Sequence, residues 1–185
     1  MVEGTVVYKG NYGGVDILVR HAQRDDVERL LSFINILSKE QTFITLQGKQ
    51  LTLENESRYL EDYLHKVENH TAVKLLVIHE DHLIGVADII TNGKIESHIG
   101  VLHIAISKEW RNKGIGKMLI EKSINEASKN ITGLQIITLG VFENNSAARK
   151  LYEKLGFKEY GLLPKGIQYK GELVDHVYMY KTLFS

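Results

Sequence analysis

The stretch EWRNKGIGKML, residues 109–119, decides how this chain folds. Gly114 and Gly116 stand one residue apart in it, flanked by Arg111, Lys113 and Lys117. The run VLHIAIS before it (101–107) reads as a strand, and KMLIEKSINEASK after it (117–129) as a helix. On that helix Lys117, Glu121, Asn125 and Ser128 share a polar face, while Ile115, Leu119, Ile120, Ile124 and Ala127 cover an apolar arc. Strand, basic turn, paired glycines and helix together suit an anion. A helix start leaves N–H groups without partners and carries partial positive charge, and glycine lets the backbone come close. Two common phosphate loops fail on spacing. A P-loop needs glycine and a hydroxyl where Arg111 and Met118 stand, and a dinucleotide fingerprint needs a third glycine where Leu119 stands.

The pattern on either side is regular. DILVR (16–20) reads as a short strand, and DDVERLLSFINIL as a helix with Val27, Leu30, Leu31, Ile34 and Leu37 at helical spacing. KEQTFITLQGKQ is a loop, and ENESRYLEDYLHKVEN a helix with Leu60, Tyr63, Leu64 and Val67 on one face. AVKLLVIHE and LIGVADIIT form a hairpin turning at Glu80 to His82. Asn92-Gly93 is a second turn signal, followed by a strand over residues 99–106. LQIITLGVF is a buried strand, NSAARKLYEKL a helix stopped by Gly156, and two β-like runs near 158–162 and 173–183 close the chain. The expected order is β α α β β β α β α β β. The crossover from the strand at 99–106 through the glycine-turn helix to LQIITLGVF requires those two strands to be parallel.

A second motif, VFENNSAARKLYEKLGF (141–157), has Asn145 as a plausible N-cap and Ala148, Leu151, Tyr152 and Leu155 on one helix face. By itself it is a capped amphipathic helix with a packing tyrosine. Together with the first motif it resembles the GNAT family of N-acetyltransferases. That family's acetyl-CoA turn, Gln/Arg-x-x-Gly-x-Gly/Ala, is matched by Arg111, Gly114 and Gly116. Its later helix is matched by Asn145, Ala148, Leu151, Tyr152, Gly156 and Phe157. The tail GLLPKGIQYKGELVDHVYMYK is similar to that of a subgroup containing ribosomal-protein and amino-acid N-acetyltransferases, through Gly171, Leu173, Val174 and Asp175.

The resemblance implies an α/β (α+β) chain with the GNAT acyl-CoA N-acyltransferase fold. Its sheet is mixed and mostly antiparallel, with a splayed parallel strand pair and about four flanking helices. It implies acetyl-CoA as co-substrate, no metal, and transfer to a primary amine by direct attack. Backbone N–H groups of Arg111, Asn112, Lys113, Gly114, Ile115 and Gly116, with Lys117 beside them, would hold the pyrophosphate. Leu102, Ile104, Ala105 and Ile106 would face the pantetheine and acetyl carbonyl, with Asn145 and Ala148 on the other side of the arm. Tyr152 would be the catalytic acid for the leaving thiolate.

The base is open. The strand glutamate of the histone-acetylating branch falls at Gly100, so that role does not carry over. Glu40 in the loop, Asp88, Glu96 and His98 are candidates, and His103 reads as a packing residue. The acceptor pocket is expected between the loop carrying Glu40 and Phe43 and the last hairpin, with Tyr169, Tyr178 and Tyr180. An α-amine is neutral in about one molecule in ten at neutral pH, a lysine-type amine in about one in 2,500. A site without an obvious strand base therefore favours an α-amine on an amino acid, a related small amine or a peptide N-terminus. The alternatives are a polyamine acetyltransferase, for which the ENES and EDYL clusters would supply acids, and a non-catalytic acyl-CoA sensor.

Composition sets outer bounds. The chain has 185 residues, enough for one core, with 43% hydrophobic and 25% charged residues. Lys plus Arg equals Asp plus Glu at 23 each, which gives no charge argument for a nucleic-acid or membrane partner. Cysteine is absent, which excludes a thiol nucleophile and a zinc-thiolate site. His79 with His82 and His65 with His70 lack a third ligand, so no metal is expected. No apolar run reaches the ~18–20 residues of a membrane span, and the N-terminus lacks signal-peptide character, so a cytoplasmic monomer or homodimer is the expectation. Residues 1–15 are expected as an N-terminal extension and 16–185 as one N-acetyltransferase domain.

Overall fold

The computed structural model describes residues 3–183, so the outermost two residues of the expected extension and of the expected domain lie outside the described residues. The order is β1 (Val6–Tyr12), β2 (Val15–His21), α1 (Val27–Glu40), α2 (Leu53–Glu68), β3 (Ala72–His79), β4 (His82–Thr91) and β5 (Ile99–Ile106), followed by α3 (Ile115–Asn130), β6 (Ile136–Phe142), α4 (Ser146–Lys154), β7 (Lys158–Tyr169) and β8 (Glu172–Thr182). One eight-stranded sheet has the strand order β1-β2-β3-β4-β5-β6-β8-β7. Every neighbouring pair is antiparallel except β5 and β6, as the crossover requires. The expected GNAT fold class holds, and the structure adds a strand. Val6–Tyr12, to which the sequence reading gave no element, pairs with β2 as the edge of the sheet.

Local chemistry explains the helix ends. Thr52 caps α2 by accepting from Asn55 N at 3.2 Å, and the Asn55 side chain answers at Thr52 N. Asn145 caps α4, accepting from Ala148 N at 3.3 Å. Gly156 takes φ +85° and stops α4 with its N–H on Glu153 O, as the sequence predicts. At the other end of the chain a buried Arg20–Asp26 fork, at 2.7 and 2.5 Å, fixes β2 to the start of α1.

The two faces of the sheet carry separate cores. Leu102, Leu119, Ile120, Ile137, Leu139, Val141 and Tyr152 belong to the larger, under α3 and α4. Leu30, Leu60, Leu64, Leu76 and Ile78 form another under α1 and α2, with a small satellite of Tyr63, Val67 and Ala72. Strand alternation assigns the rest. Lys74, Asp88, Val101, His103, Gly140, Phe142, His176 and Tyr178 have the parity of the α1/α2 face.

β5 and β6 stay in register for three pairs only: Ile99 opposite Ile136, Gly100 opposite Ile137 and Val101 opposite Thr138. Gln135 N and Ile136 N both donate to His98 O, at 2.8 and 3.1 Å, and pin this closed end. Beyond it β5 continues on β4 to Ile106 and β6 continues on β8 to Phe142, and no ladder joins them. The sheet is therefore split by a gap that opens toward the glycine turn.

On the α1/α2 face Lys74 Nζ lies 2.9 Å from Asp88 Oδ1, both side chains buried, with Lys74 4.3 Å from the Tyr63 ring centroid. Burial opposes ionisation of Asp88, but Lys74 and then His103 outweigh it and hold the carboxyl down at about 2, from an ordinary 3.8. That depression corresponds to roughly 2–3 kcal/mol of stability. It is fully present above the ordinary carboxyl value and is lost as pH falls through the folded one. Asp88→Asn is thus expected to cost about 3 kcal/mol in urea unfolding at neutral pH, by leaving Lys74 buried and unpaired. The difference from wild type should shrink as pH is lowered from about 4 toward about 2; a pH-independent difference would contradict this origin.

Candidate active site

The glycine turn sits at the open end of the gap. A short turn over residues 108–110 ends β5, Arg111 is extended, and Asn112 (φ +61°) and Gly114 (φ +80°) are left-handed. α3 then starts at Ile115, which is buried and anchors the helix in the main core. Gly114 provides no side-chain cap, and the first turn of α3 has no acidic residue. The leading N–H groups and the positive end of the helix dipole are left for an anion. At Gly116 a Cβ would make only ordinary contacts, 3.7 Å to Leu151 and 3.8 Å to Ile106.

Two features brace this turn. Arg111 donates from Nε to Ile106 O at 2.9 Å and pairs with Glu40 at 2.8 Å. Its side chain therefore ties the end of β5 to the end of α1, and its backbone N–H donates to Lys108 O at 3.3 Å. From the other side comes the β1–β2 hairpin. Its Tyr12 ring would be 3.4 Å from a Cβ on Gly114, and Lys113 O is equally close to a Cβ on Gly13. The left-handed φ favours glycine at 114, while the Tyr12 ring packs against it at ordinary contact distance. The Lys113 ammonium lies 4.5 Å from the Trp110 ring centroid, and exposed Lys117 is 3.8 Å from Glu121.

Leu102, Ile104, Ala105 and Ile106 lie on β5 beyond its last pair with β6 and so line one edge of the gap. Opposite, β6 turns into α4 through Asn145, whose N donates to Phe142 O at 3.0 Å. The side-chain oxygen of Asn145 is already used as the α4 cap, and Ala148 packs against the main core. Tyr152 is buried on α4, edge-on to Phe157 at 5.8 Å. Burial alone pushes its phenol up to about 12, so it holds its proton at neutral pH.

The base candidates separate cleanly. Glu40 is the last residue of α1, not a loop residue, and it is committed to Arg111. Glu96 holds the β4–β5 turn by accepting from Asn92 at 3.0 Å, and His98 precedes β5 at the closed end. At ~3.3 Å per residue both lie far from the opening. At Gly100 a Cβ would come within 2.7 Å of Ile89 and 3.0 Å of Leu134, so no strand glutamate fits there. Asp88 is buried between Lys74 and His103. The expectation that His103 packs in the interior is wrong: its side chain is 62% exposed and its Nδ1 lies 3.0 Å from Asp88 Oδ2. It sits on the face opposite Leu102 and Ile104, which takes it out of the core.

The region between the α1–α2 loop and the last hairpin, where the acceptor pocket is expected, contains an aromatic trio. Phe43 stacks on Tyr169 at 5.1 Å, and Phe142 lies edge-on to Phe43 at 5.4 Å and to Tyr169 at 5.3 Å. Tyr169 Oη donates to Gln41 O at 3.2 Å, holding the α1–α2 loop to the end of β7. Tyr178 and Tyr180 instead pack on Tyr160. The sequence reading missed Phe142 and His176. A Cβ on Gly140 would overlap the His176 ring, and burial lowers the pKa of that histidine. The glycine in an otherwise bulky, apolar strand was the sequence signal of that close approach. Among the described residues no group of three or more His, Cys, Asp or Glu side chains could hold a metal, and no helix is long and apolar enough to cross a membrane.

Known proteins share this fold. An acetyltransferase of the GNAT family from Streptococcus pneumoniae superposes with TM-score 0.82 at 30% identity, covering 91% of this chain and 99% of that one. A ribosomal-protein-alanine N-acetyltransferase from Brucella melitensis gives TM-score 0.78 at 26% identity, over 90% of this chain and 99% of that one. The L-amino acid N-acetyltransferase AaaT of Escherichia coli (strain K12) is 35% identical over 83 residues, 45% of this chain and 51% of AaaT. The profile of the acetyltransferase (GNAT) family matches residues 31–157, a span that holds the gap, the glycine turn and Tyr152. With fold, motifs and profile in agreement, this chain belongs to the GNAT family and is an acyltransferase of the acetyl-CoA-dependent N-acetyltransferase type.

Proposed function

We propose that the chain transfers the acetyl group of acetyl-CoA to an α-amine, on an amino acid, a related small amine or a peptide N-terminus. The observation that carries this reading is the acceptor side of the gap. It is apolar and aromatic, built by Phe43, Phe142 and Tyr169, and its nearby acids are already paired, Glu40 with Arg111 and Asp88 with Lys74. A polyamine site calls for free carboxylates. On α2, Glu54 pairs with Arg58, and Glu56 is buried with its pKa raised, first by burial. The names of relatives that act on amino acids and on ribosomal-protein alanine point the same way.

In this reading acetyl-CoA supplies the thioester. Backbone N–H groups of residues 112–116 hold its pyrophosphate, with Arg111, whose own N–H is bonded to Lys108 O, bracing the turn; the lip at Leu102, Ile104, Ala105 and Ile106 lies along the pantetheine, with Asn145 and Ala148 opposite. A strand N–H stabilises negative charge on the carbonyl oxygen during attack. Tyr152, kept protonated by burial, donates to the leaving thiolate. The phosphates are the handle and the chemistry lies further down the gap.

A panel of amino acids, short peptides and polyamines with acetyl-CoA, read by thiol release, tests the acceptor. Highest kcat/KM on an α-amine is expected; a strong preference for polyamines would reverse the assignment, and no release with any amine would favour the sensor. Tyr152→Phe keeps the ring against Phe157 and is expected to lower kcat about a hundredfold with little change in thermal stability. Full turnover by that variant would remove Tyr152 from the chemistry. Gly114→Val should raise KM for acetyl-CoA at least tenfold, because a β-branched residue at φ +80° displaces the turn and meets Tyr12.

A further inference from the structure

His103 stands where the gap opens. Val101 is the last β5 residue in register with β6, and His103 is the next residue along β5 on the α1/α2 face. The aromatic trio and His176 have the same face. His103 is also the exposed end of a row of charge across three strands. Lys74 is opposite Asp88, and Asp88 is opposite His103, in the β3–β4 and β4–β5 registers. Lys74 Nζ reaches Asp88 Oδ1 at 2.9 Å, and His103 Nδ1 reaches Asp88 Oδ2 at 3.0 Å. Side-chain exposure climbs from 4% at Lys74 to 10% at Asp88 and 62% at His103.

This arrangement does what a positioned base requires. Asp88 is ionised and buried, so it accepts a hydrogen bond from Nδ1–H and fixes the tautomer that leaves the lone pair on Nε2. Nε2 has no protein partner among the described residues. A surface ion pair is the plain alternative, and such pairs contribute little. Here, though, Lys74 already neutralises Asp88, so charge balance does not require a cation at position 103. The other groups around this row are Tyr59, Tyr63 and Glu56 of α2; they gather on Lys74, and Tyr63 and Tyr59 also face Asp88. None of them competes for Nε2.

We propose that His103 is the general base of the acetyl transfer, with Asp88 as its positioning residue and Lys74 holding Asp88. The proposal rests on the N-acetyltransferase reading given above. The amine nitrogen bonds to the thioester carbon and the carbon–sulfur bond breaks. One amine proton passes to His103 Nε2, and the thiolate takes a proton from Tyr152. His103 then loses its proton to solvent, and Tyr152 regains one. Base and acid thereby act from opposite faces of the sheet.

The test uses the full chain with the amine that wild type acetylates best. His103→Gln keeps a donor for Asp88 and loses the basic lone pair, and His103→Ala removes both. Both variants are expected to lose about a hundredfold in kcat, with KM for acetyl-CoA and thermal stability near wild type. Added imidazole should restore part of the activity of His103→Ala. The acid limb that His103 contributes to the pH profile of kcat/KM should vanish in both. Activity within about threefold of wild type in His103→Gln would overturn the proposal, and so would a loss that imidazole does not relieve and that leaves the acid limb in place. A wild-type chain that acetylates no amine overturns the acetyl-transfer reading and this proposal with it. An active wild type with an unimpaired His103→Gln overturns this proposal alone.

Discussion

The molecule is organised by one constraint, the early parting of two parallel strands. β5 and β6 share three register pairs and then separate, each keeping its other neighbour. A sheet tolerates such a split only where the strand edges inside it can find other partners, because buried backbone N–H and C=O groups demand them. An extended polar arm such as pantetheine is a chemically suitable partner. The split is held at one end by the paired donors on His98 O and at the other by Arg111, which links Ile106, Glu40 and the start of the glycine turn. The helix start is thereby placed at the mouth of the gap, so one backbone feature creates the slot and sets unpaired helix N–H groups at its entrance.

The same split separates two environments. On the α3/α4 face Tyr152 lies in an apolar core, where burial keeps the phenol protonated. On the α1/α2 face, charge is buried but compensated, with Lys74 against Asp88 and two tyrosines close by. Desolvation alone would drive both members of that pair neutral, and their mutual attraction reverses this for each. A protonated phenol and a compensated carboxylate thus lie on opposite sides of one slot.

Much of this was legible in the sequence, for local reasons. Gly114, Gly116 and Gly156, the Asn145 cap and the periodicity of α1 to α4 are short-range signals, set by φ, by capping and by which face is apolar. The site residues that escaped have long-range causes. His103 looks like a packing residue on a β-rich run, and only the cross-strand register with Asp88 shows that it points away from the core. Phe142 joins Phe43 and Tyr169 from segments far apart in the chain. Residues 6–12 carry no strong period, yet they complete the sheet edge and put Tyr12 against the glycine turn. Glu40 appeared free in a loop because its partner, Arg111, is 71 residues away.

The sequence by itself determined the secondary-structure order beyond β1, the parallel crossover and the donor turn, since each depends on residues within one or two elements. The tertiary structure alone decided which carboxylates are free, which histidine is exposed and where the aromatic side chains converge. Those properties depend on strand register and on which face each residue occupies. A shift of one residue in register would exchange the faces, and nothing in the local sequence around His103 or Asp88 records that pairing.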